Sequence, residues 1–460
     1  MEPEAYRPTY HFTPPQHWMN DPNGLVYADG VYHLYYQHNP YAAHWGHMSW
    51  GHAISRDLVH WEHLPIALWE EPEQGYTIFS GSVVIDRSNT AGFGAGALVA
   101  IYTADARERR LETVHIATSL DGGRTFTQYA GNPVIDGGES KFGDPKVFWH
   151  AESAKWVMVN ICGNPQGHVV LVGSADLRTW TRLSEFHAPE AAPHVWECPD
   201  LFPLAVDGDP AHVKWVLKTN CVQFGGNTSG TRYFIGDFDG VTFTQTQALG
   251  AAFTTDQGAI YAEVTYNDAP GGERVLVGWL RQPPREDRPW TGAQSLPRVL
   301  TLHTAGGGLE LRQAPHPALR ALRGASVRLD DAPLSGDTPL DVDVSGRALE
   351  IAAEFAPGDA ACGLRLTLAE GEAVIGYAEG EAFVERPGQP RLVAPLSPRD
   401  GRVKLHVLFD QDIVEVFGGD GETGMTTWLD FGAEYRGLAV FGDRGARATV
   451  EVWLIGTPSS

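Results

Sequence analysis

The chain has 460 residues, 43% hydrophobic and 20% charged, with a formal net charge of −23. This composition excludes a disordered chain and supports a well-buried core. The negative excess excludes nucleic acid and anionic membrane surfaces as partners, because such contact faces need Lys and Arg in surplus.

Met1–Arg7 has neither the basic nor the apolar stretch of a leader. The first distinctive element follows at once: Trp18-Met19-Asn20-Asp21-Pro22-Asn23-Gly24, an aspartate in a tight polar turn. The aromatic and β-branched run Val31–Gln37 then predicts a strand. Downstream, polar turns return at Ser80, Asp144, Glu197 and Asp256, which lie 59, 64, 53 and 59 residues apart counting from Asp21. A second phrase, a small or polar residue and an Asp turn followed by an aromatic, ends at Trp61, Phe126, Trp180 and Phe243. Its copies lie 65, 54 and 63 residues apart, about half a repeat out of step with the first. Between these marks lie short strands such as Trp156–Asn160 and Lys214–Lys218, and helical periodicity is scarce. An all-β chain with such a period predicts a five-bladed β-propeller with one recurring turn per blade facing the axis.

The repeat fades after Gly278–Leu280. Pro283–Pro289 reads as a loop and Pro315–Arg323 as a short helical linker. From about Ala325, alternating strands such as Ala348–Glu354 and Val403–Phe409 predict a β-sandwich. The expected division is a propeller over 1–315, a linker over 316–324 and a sandwich over 325–460. Cys162, Cys198, Cys221 and Cys362 have no metal or redox spacing, so no disulfide framework is expected. No apolar run approaches membrane-spanning length. The expected location is the cytoplasm.

Three turns carry carboxylates: Asp21 in Asn-Asp-Pro, Asp144 in Gly-Asp-Pro and Glu197 in Trp-Glu-Cys-Pro. One alone is as readily a turn cap. Three in register with a propeller period suit glycoside cleavage, in which one carboxylate attacks or activates water and another protonates the leaving oxygen. Asp21, among polar neighbours, is expected to stay ionised, while Trp196 and Cys198 give Glu197 surroundings suited to an acid. His44, His47 and His52 lack metal-ligand spacing, so no metal and no cofactor are expected. Gly92–Gly96 lacks the setting of a phosphate loop, and Cys198 reads as a small neighbour of the acid.

These motifs resemble glycoside hydrolase family 32, the invertases, inulinases and levanases. Trp18–Gly24 is similar to the family's opening motif. Trp50–Trp61, Phe79–Ser82, Asp144–Phe148, Trp196–Asp200, Tyr233–Phe238 and Ser295–Arg298 continue in family order. The resemblance implies a five-bladed propeller followed by a sandwich and a retaining β-fructofuranosidase acting on a small fructoside. It implies Asp21 as nucleophile, Glu197 as acid/base and Asp144 as transition-state stabiliser. Asn20, Gln37, Trp45, Phe79 and Ser80 would line the fructose subsite. One position departs: Gly143 stands where the family usually has the Arg of Arg-Asp-Pro. Either Lys141 or Arg281 takes over, or specificity is altered toward another furanoside, another linkage or transfer. Ala259 and Ile260 also depart, and are expected on the pocket side. A carbohydrate-binding protein on a decayed scaffold is the non-enzymatic alternative. The oligomeric state is left open.

Overall fold

The computed structural model describes residues 6–456 except 72, 74, 107–110, 139–140, 164–166, 189–193, 224–228, 249–253, 337, 370 and 430–434. Five antiparallel blades run in chain order, each from an innermost strand outward. Their innermost strands are His17–Ala28, Thr77–Asp86, Phe142–His150, His194–Val206 and Ile260–Thr265. A separate hydrophobic cluster fills each gap between blades: Tyr35, Trp50, Val83 and Tyr102 between the first and second, for example, and Tyr32, Leu34, Tyr266 and Val277 where the fifth meets the first. Aromatic and β-branched residues suit these half-flat, pleated contacts.

The Asp-to-aromatic phrase is the turn between third and fourth strands. Asp57, Asp121, Asp176 and Asp239 each accept backbone N–H groups two to four residues on, capping the turn with their own carboxylates. Blade five turns instead at Gly306-Gly307, both at positive φ, between Arg298–Ala305 and Gly308–Pro315. That is why the phrase has only four copies.

The innermost strands share a second device. Each breaks register with its neighbour over the same short span: Met19/Pro22, Ile78/Gly81, Gly143/Lys146, Glu197/Asp200 and Tyr261/Val264. A bulge there turns side chains off the sheet and onto the axis. The second residue of the last three bulges, Asp144, Cys198 and Ala262, has positive φ. This corrects the sequence reading at one point. The fifth bulge holds Ala262 and Glu263, not Asp256. Asp256 precedes Gln257–Gly258, a short strand that leaves the propeller to pair with Thr423–Trp428 of the C-terminal domain.

The last propeller strand ends at Pro315, a 3-10 helix covers Pro317–Leu322, and Arg323–Pro333 opens the sandwich. Sheets of seven and six strands enclose its core, with Leu349, Phe355, Leu364, Ile375, Phe409 and Val414 fully buried. The two domains are tied by buried polar groups. The Arg298 guanidinium contacts Asp256 at 2.8 Å, Glu415 at 2.6 Å and Thr426 at 2.8 Å. His11 bridges Asp410 and Glu415 at 2.9 and 3.1 Å. Ser295–Arg298, legible as a motif, therefore serves domain docking.

Candidate active site

The bulges bring Asp21, Ser80, Asp144 and Glu197 to one mouth of the propeller. Gly24 lies in a second irregularity of the first innermost strand, between Asn23 and Val26: its φ is +56°, and a Cβ there would lie 2.6 Å from the Tyr35 ring, so only glycine fits. Asp21 Oδ1 accepts from Asn20 Nδ2 at 3.0 Å and Oδ2 from Ser80 Oγ at 2.6 Å. Asp144 is fixed from both sides: its N–H donates to Thr103 Oγ1 at 2.7 Å, and Oδ2 accepts from the Cys198 N–H at 3.0 Å. The Cys198 thiol bridges toward Asp21 Oδ2 at 3.6 Å and Asp144 Oδ2 at 3.9 Å. Glu197 Oε2 accepts from the Tyr261 hydroxyl at 2.6 Å, and Oε1 lies 3.6 Å from Lys141 Nζ.

The three acids use three different places in equivalent bulges. Glu197 is the last paired residue before its bulge, Asp144 the second residue of that span, and Asp21 the third. One backbone device thus presents three carboxylates from three different positions of equivalent bulges.

Burial, reinforced by Asp144 and Glu197, pushes the Asp21 carboxyl up to about 6 against the hydrogen bonds of Ser80 and Asn20. Desolvation thus outweighs the two hydrogen bonds that its polar neighbours supply. Burial and the surrounding carboxylates push the Cys198 thiol far up, so it stays protonated and is no nucleophile.

Sequence reasoning missed a fourth carboxylate. Glu112 accepts the Phe142 N–H at 3.0 Å and lies 3.5 Å from Lys141 Nζ. Burial pushes Glu112 up to about 7, with Lys141 opposing. Although burial disfavours its charge, Lys141 is held protonated by Asp144, Glu197 and Glu112. Glu112 and Thr103 occupy the space beside Gly143, where a Cβ would lie 3.0 Å from Glu112 Oε2 and 2.7 Å from Thr103 Oγ1. Lys141 therefore supplies the cation near the acids, while Arg281 stacks over Tyr261 at 5.0 Å. No sequence signal marked Glu112 or Tyr261, because their partners lie 29 or more residues away in the chain.

The other expected sugar contacts divide. Asn20 is buried, with Oδ1 accepting from Trp18 Nε1 at 2.7 Å. Trp45 is 47% exposed and lies 6.1 Å from the Phe79 ring, forming an aromatic rim. Gln37 sits one layer deeper, where Nε2 donates to the Asn23 amide oxygen at 3.0 Å when that amide faces its donors. Ile260 does not face the pocket. It packs with Leu280, Trp290, Ile413 and Trp428 at the domain interface, and Ala259 packs against the same cluster. The histidines separate: His47 pairs with Glu70 and His52 with His33. Among the described residues, one group of side chains converges with N and O atoms that could hold a metal: His168 and Glu185 on strands of the third blade, and His187 just beyond the last of them.

Below the acids the axis is filled. Lys146 Nζ donates to the Thr265 carbonyl beside Asp200, and Lys218 Nζ donates to the Glu263 carbonyl at 2.5 Å. All four of these ionisable side chains are buried. The pocket is therefore blind.

A blind pocket in a propeller mouth, walled by carboxylates and an aromatic rim, is the site of a glycoside hydrolase. The chain belongs to glycoside hydrolase family 32: residues 11–315 match its N-terminal domain and residues 318–454 its C-terminal domain. It is similar to a levanase of Bacillus subtilis, with 42% identity covering 96% of this chain and 69% of that protein. An extracellular exo-inulinase of Aspergillus awamori is 36% identical over 93% of this chain and 90% of its own. The crystal structure of the A. awamori exo-inulinase superposes with a TM-score of 0.89 at 32% identity, covering 98% of both chains. A fructofuranosidase of Schwanniomyces occidentalis complexed with fructose gives 0.89 at 30% identity, covering 99% of both. The protein is a glycoside hydrolase of the β-fructofuranosidase type.

Proposed function

We propose that the enzyme removes single terminal β-fructofuranosyl units from sucrose and fructo-oligosaccharides by double displacement with retention. Asp21 attacks the anomeric carbon; Glu197 protonates the leaving oxygen and then activates water; Asp144 stabilises the oxocarbenium-like charge and grips sugar hydroxyls. Asn20, Ser80, Phe79 and Trp45 line the fructosyl subsite, with Gln37 supporting it from beneath. The observation that carries this reading is the convergence of the three acids above a filled axis. A floor of buried ion pairs leaves room for a chain end, not for a chain passing through.

The carboxylates have the supports these roles need. Ser80 and Asn20 aim Asp21, whose value of about 6 leaves it ionised at neutral pH. Tyr261 and Lys141 hold the two oxygens of Glu197. The relatives named levanase and exo-inulinase extend the substrate class to the ends of fructan chains. A panel of sucrose, inulin and levan tests this. Wild type should release fructose, and Asp21→Ala and Glu197→Ala should abolish release while remaining folded. Binding of sugar without turnover of any fructoside would overturn it.

We place the enzyme in the cytoplasm: the thiols of Cys198, Cys221 and Cys362 are buried and form no disulfide, which suits a reducing compartment. Cell fractionation tests that placement, and recovery of the activity outside the cell would contradict it.

A further inference from the structure

A second concavity lies at the other end of the innermost strands. Its volume is about 540 Å³, and its walls come from blades two to five. Trp149 stands on this wall, five residues beyond Asp144 on the same strand, which is roughly 16 Å at the usual rise. Between the two places stand the buried Lys146, Asp200, Lys218 and Glu263. Asn267 seals the far side, its Nδ2 donating to the Val83 and Val147 carbonyls at 2.9 and 3.0 Å. The cavity is therefore separate from the catalytic pocket.

Its chemistry is mixed in a particular way. Trp149 is 43% exposed, whereas Trp50, Trp196 and Trp290 are fully buried. It is propped rather than loose: it meets Trp156 edge-on at 5.1 Å, and the Trp156 indole donates to Thr90 Oγ1 at 2.9 Å. Trp215 forms another part of the wall, packed 5.6 Å from Phe148. Among these rings stand an exposed ion pair, Arg87–Asp268 at 3.3 Å, and Arg274, whose Nε is buried without a hydrogen-bond partner.

An apolar ligand would strip water from the Arg87–Asp268 ion pair and leave Arg274 Nε without a partner. An anion would meet the Asp268 carboxylate on a chain of net charge −23. A sugar ring satisfies both kinds of wall. Its C–H face lies on an indole, and neighbouring hydroxyls bridge guanidinium and carboxylate. Given the fructosidase activity proposed above, we infer that this cavity is a second saccharide site, one that binds internal units of a fructan chain and holds the enzyme on polymeric substrate. It takes no part in cleavage. It adds a second attachment that raises the local concentration of chain ends.

Two measurements on Trp149→Ala and on Arg87→Ser test the site, with melting temperature as the check on folding. On sucrose, both variants should match wild type. On levan or inulin, KM should rise about 3–10-fold with kcat unchanged, the effect of losing one ring or hydrogen-bond contact. In native gels containing the same polymer, Asp21→Ala should be retarded, and Asp21→Ala/Trp149→Ala should be retarded about 3–10-fold more weakly, as judged from the polymer concentration needed. Unchanged polymer KM and unchanged retardation in both variants would overturn the site. So would retardation by dextran sulfate but not by levan or inulin, which would mark an anion site. Failure of wild type to release fructose from sucrose or polymer would overturn the activity instead, and the gel would still report on the cavity.

Discussion

Lys141 and Glu112 form an ion pair of 3.5 Å beside Gly143, with the same ammonium 3.6 Å from Glu197. Glu112 and Thr103 fill the space beside Gly143 into which the usual family arginine would extend, and the cation stands two residues earlier in the chain. Lys141→Met should lower kcat/KM by about 10–100-fold, the worth of a charge-assisted hydrogen bond. Glu112→Gln, which leaves the cation in place, should cost less. Kinetics on sucrose check both, and a Lys141→Met enzyme equal to wild type would remove Lys141 from the site.

Restoring the family residue should do harm. A side chain at position 143 would press on Thr103 Oγ1, which receives the Asp144 N–H, and on Glu112. Gly143→Arg is therefore expected to lose about 1–3 kcal/mol of stability by overpacking and to lower turnover of every fructoside. Thermal melts and the substrate panel measure this. A gain on any substrate with no loss of stability would show that the space is more yielding than the packing implies.

The raised Asp21 value has consequences for rate and for stability. As pH falls through about 6 the Asp21 carboxylate is protonated, so, with Asp21 as the proposed nucleophile, kcat/KM should fall with an apparent pKa near 6. For stability the sign is opposite to that of a paired carboxylate. Below its ordinary 3.8, Asp21 is protonated in both folded and unfolded chains. Between 3.8 and about 6 only the unfolded chain ionises, so stability is lost as pH rises through this window. Asp21→Asn should therefore raise the melting temperature at pH 7 and leave it nearly unchanged at pH 4. A variant less stable than wild type at pH 7 would contradict desolvation as the cause.

At the domain interface, Arg298 neutralises Asp256 and Glu415 in a fully buried site. Arg298→Met would leave Asp256 without its cation and Glu415 with His11 as its remaining one, at a cost of about 3–5 kcal/mol. Urea unfolding should show either a large fall in midpoint or separate transitions for propeller and sandwich. A loss under 1 kcal/mol would mean that the pairs are replaceable by water.

The repeat was legible because turns and strand lengths are local. Asp57, Asp121, Asp176 and Asp239 announce their turns through bonds to nearby backbone, and the Asn-Asp-Pro and Trp-Glu-Cys-Pro phrases mark bulges. Asp256 misled because a polar residue at the right spacing says nothing about whether its strand stays in the blade. That depends on pairing with Thr423–Trp428, far along the chain. Ile260 misled in the same way, since only the folded sandwich covers it. Glu112 and Tyr261 were silent because their roles come from burial and from partners on other blades. Proximity between blades fixes the electrostatics of the site, and no local pattern records it.

The stereochemistry of the first product tests the mechanism most directly. The hydrolysis of sucrose, followed by proton NMR from the first seconds, should show β-fructofuranose before mutarotation, as attack by Asp21 and deglycosylation assisted by Glu197 require. Initial release of the α anomer would mean a single displacement by water and would contradict the assignment of Asp21 as nucleophile.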